Sequence, residues 1–109
     1  MTHAVLYRWK LKPGKEDEFS AAWARMAEVL CAECGALGSR LHTAADGTHV
    51  AYSLWPSREA WQLAQIHAPK SAARALMAAA IEERFPETHL EAVAEQRGDG
   101  MAAGVTNAG

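Results

Sequence analysis

The chain has 109 residues, half of them hydrophobic, with eleven Lys and Arg against thirteen Asp and Glu and a formal charge of −2. That length accommodates one domain around one core and excludes a two-domain enzyme. The absence of a basic excess argues against nucleic acid as a partner.

Residues 3–12, HAVLYRWKLK, place Val5, Tyr7, Trp9 and Leu11 on one side of a strand and mostly polar residues on the other. Pro13 and Gly14 end it, and from Lys15 the apolar spacing becomes three and four: Phe19, Ala22, Trp23, Met26, Leu30 and Cys34 predict a helix stopped by Gly35. Residues 36–43 and 48–55 alternate as two antiparallel strands around the hairpin signal Asp46-Gly47. Ser57 is the expected N-cap of a helix with Ala60, Trp61 and Ala64 inward, and Pro69 divides it from a further helix over residues 71–84 with Leu76, Met77, Ala80 and Ile81 on one face. Residues 88–96 read as the last strand, with Leu90, Ala92 and Ala94 on one face.

From Gly98 the glycine-rich sequence GDGMAAGVTNAG has no period, so a domain of residues 1–97 and a flexible tail, or partner-binding arm, of residues 98–109 are expected. No long apolar run and no basic segment leading into one occurs, so neither a membrane span nor a signal peptide is expected, and the cytoplasm is the expected location. Two cysteines are too few for a disulfide framework.

The order strand, helix, strand, strand, helical region, strand predicts an α+β protein of the ferredoxin-like, split βαβ type, with a four-stranded antiparallel sheet and helices on one face. The other face would carry either Val50, Tyr52 and Leu54 or His49, Ala51, Ser53 and Trp55. The first set is too apolar to leave in water, which predicts a homodimer joined through sheet faces.

The opening HAVLYRWKLKPGKEDEF, the DGT hairpin tip and the segment LWPSREAW together resemble the antibiotic biosynthesis monooxygenase family of dimeric α+β barrel proteins, over roughly residues 3–96. The resemblance implies oxidation of a small aromatic phenol, quinol or anthrone by O2 without metal, flavin or other cofactor. It also implies a pocket between sheet and helices, with Trp55 in the position of the family's strand-three tryptophan. Family oxygenases carry an Asn four residues earlier, where it could hold substrate or stabilise an enolate; here that residue is Ala51. Arg74 is the rough counterpart of an arginine on the later helix. Haem-degrading relatives use a His on that helix and an Asn on strand one. Arg74 stands near the former and strand one has no Asn, so haem is not expected.

Trp55, Arg74 and His67 are the catalytic candidates, with His49, Ala51, Ser53, Trp23 and Trp61 as substrate-binding residues. An imidazole titrates near neutrality, which makes His67 a candidate general base; the alternative is that it caps helix carbonyls before Pro69. Trp55 is either a pocket wall or a packing residue at a strand end. His49 could face the pocket or a solvated hairpin rim. His3 and His89 are expected to face water, and Arg40 and His42 to contact a partner subunit. Cys31 and Cys34 stand at a helix C-terminus, where the dipole does not favour a thiolate, and read as ordinary half-buried cysteines. Three functions remain: a cofactor-free oxygenase, a non-catalytic dimeric binding protein, and an isomerase or decarboxylase with His67 as base.

Overall fold

The computed structural model describes residues 2–68, 71–96 and 98. The expected break at Pro69, the boundary at residue 97 and residues 99–109 of the tail lie outside the described residues. The elements are β1 (His3–Leu11), α1 (Glu16–Glu33), β2 (Gly38–Thr43), β3 (His49–Trp55), α2 (Arg58–His67), α3 (Ala72–Ala80), β4 (Ile81–Arg84) and β5 (Thr88–Glu91). The fold is the expected α+β, ferredoxin-like arrangement. Its antiparallel sheet runs β2-β3-β1, and the position beyond β1 is divided between β4 and β5.

Alternation decides which face each strand buries. Val5, Trp9 and Leu11 of β1 and His49, Ala51, Ser53 and Trp55 of β3 are buried, while Val50, Tyr52 and Leu54 are only half-buried on the opposite face. Helices cover the first set alone. Phe19 of α1 and Ala80 of α3 join Trp9, Leu11 and Ala51 in one cluster, and Ala64 of α2 joins Val5 and Trp55 in another. Ala22, Met26 and Ala73 weld α1 to α3. A cooperative helix needs such an apolar stripe more than it needs propensity.

Local signals act as expected at the ends. Ser57 and Ser71 are N-caps whose hydroxyls accept from the amides of Ala60 (3.1 Å) and Arg74 (3.2 Å). Gly35, at φ +83°, turns the chain out of α1 in a left-handed conformation that a side chain would strain.

Two expectations at the C-terminal end fail, and the extent of β1 decides both: β4 takes one part of its edge, and β5 pairs only with residues His3, Ala4, Val5 and Leu6. The helix expected through Arg84 stops at Ala80, and the strand expected through Gln96 stops at Glu91. Residues 81–84 are good helix formers by composition, but β1 has an open edge there. Ile81, Glu83 and Arg84 pair with Leu11, Lys10 and Trp9, Lys12 N–H donates to the Ala80 carbonyl, and Phe85 N–H donates to that of Arg8. Edge pairing outweighs local propensity. Leu76, expected inward, is exposed on α3, and Leu90 is exposed on β5. Among the described residues no helix is long and apolar enough to cross a membrane.

The β2-β3 hairpin is locked by Asp46. Its carboxylate accepts from the Thr48 amide (3.0 Å) and hydroxyl (2.7 Å) and pairs with Arg8 of β1. The hydrogen bonds from Thr48, and then the charge of Arg8, hold this carboxyl below its ordinary pKa. A depressed folded-state pKa stabilises above the unfolded-state value and ceases to do so as pH falls through the folded one. Asp46→Ala is therefore expected to lower the Tm at neutral pH. Thermal melts across pH should show the gap to the parent narrowing as the solution is acidified below the ordinary carboxylate range.

Candidate functional site

Antiparallel register sets Tyr7 opposite Ala51 and Val5 opposite Ser53, so Tyr7 and Ser53 are diagonal neighbours on the helix-covered face. A cavity of about 200 Å³ lies between this face and the helices. Trp9, Trp23, Met26 and Met77 give it apolar and aromatic walls, Ala51 forms part of the sheet side, and its polar residues are Tyr7, Ser39, Tyr52, Ser53, Gln65, Arg74 and Arg84. Among the described residues no Asp, Glu or His lines it. Arg74 is half-buried, and its guanidinium pairs with no carboxylate among the described residues.

Two tryptophans stand behind the two hydroxyls. Trp55, 1% exposed, donates from Nε1 to Ser53 Oγ at 2.9 Å, and Trp61 donates from Nε1 to Tyr7 Oη, also at 2.9 Å. An indole N–H can only donate, so each hydroxyl oxygen is fixed as an acceptor and keeps its own proton to give elsewhere. Burial, foremost, and the nearby Glu87 charge raise the Tyr7 pKa above its ordinary value, against the opposing hydrogen bonds of Trp61 and Ser53. The phenol is therefore a neutral donor at physiological pH.

Of the residues singled out in the sequence, Trp23, Ala51, Ser53 and Arg74 meet in this cavity. Trp55 and Trp61 sit one layer back as the partners of Ser53 and Tyr7. His67 does not join them: it is exposed at the end of α2 and lines a separate depression with Glu33, Cys34, Leu63 and Ala64. His49 is buried rather than solvated, 7% exposed, with its ring edge-on to Phe19 at 6.0 Å and no hydrogen-bond partner for Nδ1. Cys31 is exposed and Cys34 half-buried, and burial raises the Cys31 thiol pKa, which disfavours the reactive thiolate.

His3 and His89 also depart from expectation. Instead of facing water, His3 is 1% exposed and its Nε2 meets His89 Nδ1 at 2.9 Å, with the rings stacked. Glu91 lies 3.6 Å from His3 Nδ1, and Glu87 lies 3.6 Å from His89 Nε2. The His89 ring braces Trp61 edge-on at 4.5 Å, so this pair supports the donor to Tyr7. Among the described residues no group of three His, Cys, Asp or Glu side chains is placed to hold a metal ion. The alternation in β1 puts Tyr7 on the same side as Val5, Trp9 and Leu11 but gives it no role. A lone hydroxyl among Val5, Trp9 and Leu11 was the available signal.

The antibiotic biosynthesis monooxygenase profile matches residues 2–75. Among solved structures, Rv0793 from Mycobacterium tuberculosis superimposes with a TM-score of 0.72 at 22% identity, over 89% of this chain and all of that one. SnoaB, a cofactor-independent oxygenase from Streptomyces nogalater, superimposes with a TM-score of 0.73 at 16% identity, over 86% of this chain and 95% of its own. An Asn-to-Ala variant of SnoaB aligns with a TM-score of 0.71 at the same identity and coverage. At these identities the likeness is one of fold. No curated protein matches the sequence.

Ser53→Ala would leave the buried Trp55 N–H without an acceptor, at a cost of about 1–3 kcal/mol in denaturant unfolding. Tyr7→Phe should cost less, because the half-buried Trp61 N–H can turn to water.

Proposed function

Because the chain belongs to the antibiotic biosynthesis monooxygenase family, we propose that it is a cofactor-independent monooxygenase acting on a small aromatic phenol, quinol or anthrone. The observation that carries this reading is the cavity itself. It is a small aromatic-walled space whose polar groups are hydroxyls, the Gln65 amide and two guanidinium groups. Such an oxygenase needs a site that excludes water and stabilises the substrate anion, which then passes an electron to O2. For an anthrone the balance is simple: the ring CH2 and O2 give a ring C=O and one water, with the substrate supplying every electron. In this reading Arg74 and Tyr7 face the anion, Trp23 and Trp9 stack against its rings, and Trp55 and Trp61 position Ser53 and Tyr7.

Ala51 favours a second reading. It stands where the resemblance places the oxygenases' Asn, and it gives the cavity wall no amide. A non-catalytic protein that binds a small aromatic ligand would quench tryptophan fluorescence on binding and consume no oxygen.

The helix-free sheet face carries Leu6, Val50, Tyr52 and Leu54. A second copy of the chain covers it in this proposal, giving the family's dimeric barrel. An apolar patch of this kind is otherwise an association liability.

Oxygen-electrode traces with anthrones and quinols are expected to show uptake stoichiometric with substrate. Arg74→Ala should lower the rate on the order of a hundredfold, while His67→Ala should leave it near the parent value. Loss of activity in the His67 variant would restore the imidazole as base. Leu6→Asp should shift the sedimentation coefficient from dimer to monomer.

A further inference from the structure

We infer that the cavity takes its substrate as an oxyanion formed before binding, that of an acidic phenol or enol, and that Tyr7 and Arg74 are the two groups that hold it. This rests on the reading that the cavity is the substrate site. The sequence suggested an enzymic base, but among the described residues no Asp, Glu or His lines the cavity. His67 opens into its own depression, His49 is closed in against Phe19, and His3 and His89 spend their facing nitrogens on each other.

What the cavity offers is the opposite of a base. Arg74 brings a cation with no carboxylate partner among the described residues, and the exposed Arg84 adds a second positive charge at the rim. Tyr7 Oη accepts from Trp61 Nε1, which leaves its own proton to donate, and burial keeps that proton on at neutral pH. Both arginines line the same cavity as Tyr7, and the charge that acts on the phenol is Glu87, from the turn before β5, which further opposes its ionisation. A neutral phenol could donate to the Ser39 hydroxyl or the Gln65 side-chain carbonyl, but it would leave the Arg74 charge uncompensated. A phenolate would accept a hydrogen bond from Tyr7 and neutralise Arg74, and hydrogen bonds to charged groups are roughly twice as strong as neutral ones. The site therefore selects by the substrate's acidity, and weakly acidic phenols of the same shape are poor ligands.

The test uses para-nitrophenol with the full chain, because its phenolate absorbs in the visible and it titrates near neutrality. The bound dye should titrate at lower pH than the free dye. Tyr7→Phe should weaken phenolate binding about tenfold, and Arg74→Gln should do so at least as strongly. Para-nitroanisole, of similar shape but with no proton to lose, should quench tryptophan fluorescence equally in all three proteins. If Tyr7→Phe fails to fold by circular dichroism, Arg74→Gln, altered at a half-buried helix position, carries the comparison. A bound dye that titrates at or above the free midpoint would overturn the inference. So would failure to bind the phenolate, or phenolate affinity unchanged in folded variants. Phenolate held tightly by a protein that consumes no oxygen would leave the inference standing and remove the oxygenase reading instead.

Discussion

The register between β1 and β3 is the constraint on which the rest depends. Pairing His3 with Trp55, and so on to Trp9 with His49, puts Val5, Tyr7 and Trp9 on the same face as Ala51, Ser53 and Trp55. A slip of one residue would turn every one of these side chains to the opposite face. The helices would then lose Val5, Trp9 and Trp55 as their packing partners, and the hydroxyls of Tyr7 and Ser53 would leave the helix-covered face. The register is in turn fixed at the hairpin end, where Arg8 of β1 reaches Asp46 and Thr48 in the turn before β3.

From that register follows a layered site. The sheet presents two hydroxyls, two indoles behind them decide the direction of each hydrogen bond, and the His3-His89 pair braces one of those indoles. The opposite wall comes from α1 and α3, which bring aromatic surface in Trp23 and charge in Arg74. The chemistry a protein can do with such a set is narrow. It can orient a flat molecule and stabilise negative charge on an oxygen. Under the proposed function, those are the demands of an oxygenation in which the substrate itself is the reductant.

The sequence carried the period-two and three-to-four residue patterns well. β1, α1, the Asp46-Gly47 hairpin, β3 and the Ser57 cap are local facts, written in alternation and turn chemistry. The division between Ala80 and Ile81 was not legible, because it depends on an open edge of β1 seventy residues away in the chain. Histidines were misread for the same reason. His3 and His89 each look like a polar strand end, and only β1-β5 pairing brings them into contact and out of water. At the site, the strand face bearing Ala51, Ser53 and Trp55 was visible, as were Trp23 and Arg74. The role of Tyr7 was not, since it depends on an indole supplied from α2.

The most direct measurement is the pH profile of kcat/KM for oxygen uptake with two anthrones that differ in acidity, since this profile reports ionisations of free enzyme and free substrate. A substrate that arrives as its anion predicts that the rising limb moves with the anthrone, tracking each substrate's own ionisation. A limb at one pH for both substrates would show a titrating group of the protein, contradicting a substrate that arrives already charged.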